Sequence, residues 1–141
     1  MDEKWKQRFL EAMRRRDVTE EQEFLSLVDQ VEGNCPLDVA RVFMKSFSDT
    51  PDFGTQERVV SQLASAEKSD AITAILDELP RLLVEAREWA AVLVGQEVDR
   101  RPELLVQLAR QSSPDVRQAL LTLLADDDFR DFYPNAKTLM I

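Results

Sequence analysis
Apolar residues recur three and four positions apart along almost the whole of this 141-residue chain, and no segment sustains the alternation of a strand. Such a period puts the apolar side chains of each segment on one helix face, and those faces can be buried only against one another. The pattern therefore predicts an all-α fold of about eight short helices joined by tight turns and paired as antiparallel hairpins.

The stripes can be followed one by one. Trp5, Phe9, Ala12 and Met13 form the first. Thr19 and Gln22 read as a capping box that opens a helix with Phe24, Leu27, Val28 and Val31 on one face, stopped by Gly33. Pro36 suits the first turn of a third helix carrying Leu37, Ala40, Phe43, Met44 and Phe47. Asp49 to Gly54 reads as a loop, followed by Thr55 as the cap of a fourth helix with Val59, Val60 and Leu63, and Asp70 as the cap of a fifth with Ile72, Ile75, Leu76 and Leu79. Beyond Pro80 the same stripe continues through Leu82, Leu83 and Ala86, a pattern that fits either one kinked helix or two. Trp89, Ala90, Leu93 and Val94 follow. Pro102 begins a helix with Leu104, Leu105 and Leu108, and Ser113-Pro114-Asp115 opens another through Val116, Leu120 and Leu124. The boundaries are one domain over 1–141, with weak hairpins over 1–65, clearer repeats over 70–125 and an acidic, aromatic tail over 126–141.

Composition narrows the chemistry. The chain has no histidine, one cysteine (Cys35) and three glycines. A Ser-His-Asp triad, a Cys-His dyad, a histidine zinc site, an internal disulfide and a glycine-rich phosphate loop are all excluded. No catalytic residue, metal ligand or cofactor site is predicted, and no small-molecule substrate is expected. Twenty-seven acids against 18 basic residues leave a net charge of -9, which repels nucleic acid and attracts basic proteins. Met1 to Asp17 alone is net positive, and its Arg14-Arg15-Arg16 run is expected to meet the end of a helix dipole. The start of the chain lacks the apolar core of a signal peptide, and the longest apolar run, Trp89 to Val94, cannot span a bilayer. With an unpartnered cysteine, these features predict a cytoplasmic protein that makes no membrane contact.

Internal repetition separates hairpin arrays from other helical folds. Glu85-Ala86-Arg87 and the stripe after it lie 30 positions before Asp115-Val116-Arg117 and its stripe; Glu57-Arg58-Val59 is a weaker third copy. With Pro102 to Ala109 before it, the segment Ser113 to Leu121 resembles a HEAT-type repeat. That resemblance implies a short α-solenoid in which Arg58, Arg87 and Arg117 bond turn acids or carbonyls between hairpins. A compact bundle and a repeat array with an irregular N-terminal cap both fit the earlier segments. In size, helical content and acidity the chain is similar to the helical immunity proteins of bacterial polymorphic-toxin and contact-dependent growth inhibition systems. The resemblance implies a cognate toxin domain as partner, commonly a nuclease.

Candidate binding residues come from two places. On the off-stripe face of the Trp89 helix stand Glu88, Val92 and Gln96, with Gln118 and Thr122 as their counterparts in the next repeat, and solenoids bind partners along such faces. Asp126, Asp127, Asp128 and Asp131 alternate with Phe129, Phe132 and Tyr133, placing aromatic anchors beside acid. As a run after a helix C-terminus, the three consecutive aspartates are expected to be solvated. They serve either as a recognition patch or as a solubilising rim, with Phe129 and Phe132 folded back over the last hairpin. The function expected is inhibition of a basic protein, a nuclease toxin first, by occlusion of its active site. A non-inhibitory scaffold or adaptor is the alternative, and an enzyme a distant third.

Overall fold
Asp2 starts the first helix by accepting hydrogen bonds from the amides of Lys4 and Trp5. In the computed structural model, which describes residues 1–52 and 54–141, that helix spans Glu3–Ala12 (α1). Then follow α2 (Val18–Asp29), α3 (Leu37–Met44), α4 (Thr55–Leu63), α5 (Lys68–Glu85), α6 (Arg87–Arg100), α7 (Pro102–Arg110), α8 (Pro114–Leu124) and α9 (Asp127–Phe132). A 3-10 helix, Pro134–Thr138, ends the chain's regular structure. The described residues are all-helical, with no strand. Of the predicted Asp49–Gly54 loop, Phe53 lies outside the described residues.

The longest helix is also the central one. The α5 helix packs against α3, α6, α7 and α8, while α1 pairs with α2, α2 with α4, and α9 with α8 and the 3-10 helix. Pro80 stands inside α5, which runs through it as one helix. Proline removes one amide from the ladder, so packing on four neighbours holds together what propensity alone would break. Two junctions need only one residue each. Ala86 (φ -152°, ψ 52°) ends α5 and begins α6, and Arg101 (φ -142°, ψ 56°) does the same between α6 and α7. Pro102 and Pro114 both occupy first turns, and Ser113 caps α8 through the Val116 amide.

Several predicted caps move by a few residues. Asp17, not Thr19, caps α2, its carboxylate accepting from the Glu20 amide at 2.8 Å. The helix therefore begins two residues earlier than the capping box implied, and a different orphan amide, that of Glu20, is satisfied. Pro36 is the N-cap of α3 and not its first helical residue. Gly54, with φ 94°, precedes α4, because the loop enters the helix through a left-handed residue, and Thr55 becomes a buried helical position. The α5 helix starts at Lys68, ahead of Asp70, and has no side-chain cap.

The buried side chains form one continuous core from Phe9 to Ala136. At its N-terminal end Phe9 packs against Trp5, Phe24 and Phe43 with ring centroids 5.2, 5.2 and 5.5 Å apart. The Trp5 indole donates to the Leu27 carbonyl at 2.9 Å, so the polar edge of a half-buried ring is satisfied. Phe47, beyond the end of α3, is buried against Trp89 of α6 at 5.1 Å.

The arginine run does not cap a helix dipole. α1 has already ended at Ala12, and Arg15 adopts a left-handed backbone, φ 48°. Its guanidinium lies 4.5 Å over the Phe24 ring, donates to the Ser46 carbonyl and the Thr55 hydroxyl, and stands 3.7 Å from Asp52. Arg81 of α5 completes the set by donating to the Met44 and Phe47 carbonyls. Arg81 thus satisfies the last carbonyl of α3, and the two cations together hold the carbonyls of the turn that follows it.

Candidate functional site: an acidic groove between α6, α8 and α9
The tail predicted after Ala125 is ordered as α9, and the aspartate run builds it. Asp126 is the N-cap, accepting from the Phe129 amide at 2.9 Å, and Asp127 and Asp128 occupy the first turn, where the helix dipole favours acid. Asp126 also meets Arg87 at 3.1 Å while keeping 34% of its side-chain surface exposed. The Phe129 amide, with the Arg87 charge added, holds its carboxyl below the usual carboxylate range. Asp127, Asp128 and Asp131 are exposed.

The aromatics of this segment divide. Phe129 is buried and packs 5.0 Å from Tyr133. Phe132 does not fold back as expected: it is 79% exposed, with the ring of its neighbour Tyr133 tilted against it at 5.1 Å. The Tyr133 ring is half-buried and fills the space over Gly95 in α6, where an added Cβ would lie 2.2 Å from it. Burial and nearby Asp99 push its hydroxyl pKa up. Asn135 donates to Asp99 at 3.2 Å, a second tie between the C-terminal segment and α6.

Between these elements lies an open groove of about 570 Å³. Ala91, Leu123 and Phe129 contribute apolar lining, Val92 and Phe132 are exposed at its edge, and Glu88 and Asp128 supply its charge. Val92 is 37% exposed, as an outward apolar position should be. Among the described residues, Glu88, Asp127, Asp128 and Asp131 make no ion pair, whereas Arg87, the groove's cation, is held by Asp126.

No protein-family model, curated protein or solved structure matches this chain. The geometry must therefore be read for itself. Of the ten candidate binding residues, Glu88, Val92, Asp126, Asp128 and Tyr133 meet at the groove. Asp127 and Asp131 are exposed on the same short helix. Gln96 is half-buried and lines a separate hollow with Val60, Leu63 and Arg100. Gln118 and Thr122 are exposed on α8, where Thr122 bonds the Gln118 carbonyl one turn back. Within the groove, Asp126 and Tyr133 are held by intramolecular contacts, which leaves Glu88, Val92 and Asp128 with Phe132 to face outward.

Of the repeat arginines, Arg58 meets Asp29 of α2 and Arg87 meets Asp126, whereas Arg117 donates to the Ser112 carbonyl in the turn before its own helix, a contact within one hairpin. Arg87 opens α6, whereas Arg117 lies within α8 after Pro114, so equivalent sequence positions occupy different turns. Cys35 is buried and its thiol is pushed up to about 11, chiefly by desolvation, which makes it a poor nucleophile. Among the described residues no group of three or more acids or thiols is placed to hold a metal ion, and no helix is long and apolar enough to cross a membrane.

Sequence reasoning missed three participants. Gly95 inside an apolar stripe was the available signal for a close approach. Glu97, buried and paired with Arg101 at 2.8 Å, had its four-residue spacing as a signal, whereas the Arg15–Asp52 contact had none, since those partners meet only through the folded chain.

Proposed function
We propose that this chain is an inhibitor that binds a basic protein, with a nuclease toxin domain as the first candidate, and occludes its active site. On this reading it is a helical immunity-type protein acting in the cytoplasm, and its hairpins α5–α6 and α7–α8 are HEAT-like repeats, supported by the 30-residue correspondence between Glu85-Ala86-Arg87 and Asp115-Val116-Arg117. The observation that carries the proposal is Phe132, 79% exposed beside carboxylates, Glu88 and Asp128, that have no cationic partner among the described residues. An exposed aromatic among unpaired acids is an anchor with a steering field around it, and hot spots favour that pairing. Carboxylates occupying the phosphate positions of a nuclease cleft compete with nucleic acid directly.

The test is affinity capture of the tagged chain from its native cells at low salt, with co-purifying proteins identified by mass spectrometry. One stoichiometric basic partner, released as salt rises and inactive while bound, supports the inhibitor. Several substoichiometric partners that keep their activities would make the chain an adaptor instead.

A further inference from the structure
We infer that the α6–α8–α9 groove receives a cationic protein segment that carries a bulky apolar side chain, with Phe132 and Val92 gripping the apolar group and Glu88 and Asp128 pairing with flanking lysines or arginines. This rests on the protein-binding reading and assigns it a place and a ligand chemistry.

The argument is one of complementarity. Among the described residues, Glu88 and Asp128 line the groove without ion partners, and the one cation in its lining, Arg87, is already bound to Asp126. An acidic rim of that kind lowers the free energy of lysine or arginine and raises that of acid. The apolar component is equally specific in position. Phe132 stands out from the surface instead of lining an enclosed cavity, which suits a ridge entering a partner more than a small molecule sinking from view. Its ring face is also open to a guanidinium or ammonium, which the ring quadrupole attracts. A second copy of this chain is a poor occupant, because a two-fold contact would set Glu88 and Asp128 against the same residues of a chain with net charge -9. Preorganisation supports the assignment: the Tyr133–Gly95 contact and the Asp126–Arg87 pair hold α9 in place before anything binds.

The experiment is amide-resolved NMR titration with three synthetic helical peptides: one with a leucine face and a lysine face, one with lysine but no leucine, and one with leucine and glutamate. The leucine–lysine peptide should perturb amides over 87–92 and 126–133, and Phe132→Ser or the pair Glu88→Lys and Asp128→Lys should weaken it about tenfold. Because Phe132 is exposed, the spectrum of the free Phe132→Ser chain should stay native elsewhere. Equal binding of the lysine-only peptide, perturbation centred on another face, or an unaltered affinity in Phe132→Ser would overturn the assignment. A dimer in sedimentation that Phe132→Ser dissociates would also overturn it, in favour of a second copy. Running Phe132→Ser as bait in the capture experiment separates the two claims. A partner captured equally well by that variant removes the groove and leaves the inhibitor standing. Peptide binding at the groove by a chain that inhibits nothing it captures does the reverse.

Discussion
At the scale of single residues, two contacts carry more than their sequence context announced. Gly95 exists to admit the Tyr133 ring, so Gly95→Ala forces the ring and α9 away from α6. A loss of about 1–3 kcal/mol is expected from such overpacking, measured by denaturant unfolding. Added to Tyr133→Ala, the same substitution should cost much less, because the clash has been removed. Arg15 is the second. Its replacement by methionine keeps the length but strands the Ser46 carbonyl and the Asp52 carboxylate, costing about 2–3 kcal/mol. Burial alone would raise the Asp52 pKa, but donors from Thr55 and Gln56 and the Arg15 charge override it, so the native value is lowered. A lowered native pKa stabilises the fold above the ordinary carboxylate value of about 4 and loses that contribution as pH falls through the native one. In Asp52→Asn the acid limb of the stability–pH curve should therefore flatten, while wild type declines. An identical acid limb in both would show that Asp52 is not coupled to folding.

Among the helices, α5 and α9 are opposite cases. The α5 helix keeps Pro80 because α3, α6, α7 and α8 enclose it, and the Leu76 carbonyl lacks the amide that a non-proline residue would offer. Pro80→Ala should raise stability by about 1 kcal/mol, the restored bond outweighing the greater freedom of the unfolded chain. A drop in the unfolding midpoint would mean that the ring's packing matters more. The α9 helix is only six residues long and owes its order to its cap and to Tyr133. Asp126→Ala should leave α1 to α8 intact and increase hydrogen exchange over 127–133, whereas Asp128→Ala should leave exchange there unchanged.

Across the whole molecule the acids outnumber the bases, and among the described residues those at the groove flank an exposed aromatic, Phe132. Glu88→Lys with Asp128→Lys should weaken capture of a basic partner about tenfold and shallow its salt dependence, with thermal stability unchanged. Equivalent reversals at Asp115 and Glu103, exposed on α8 and α7, should alter neither. If both pairs act alike, recognition is diffuse electrostatic attraction.

The helical class, most apolar stripes, the first-turn prolines and the outward position of Val92 were legible in the sequence, because period and cap chemistry are local properties. Even so, local rules misplaced the cap of α2 by two residues, since Asp17 and Thr19 are both good capping residues and only the path of the entering chain decides between them. The tertiary structure alone decided that Pro80 stays within one helix, that α5 is the centre, and that Phe129 turns inward while Phe132 turns out. It also decided which acid of the aspartate run is tied to Arg87, 39 positions away. Each of these depends on what lies across the core from a residue, and a pattern of neighbours along the chain carries no information about neighbours across it.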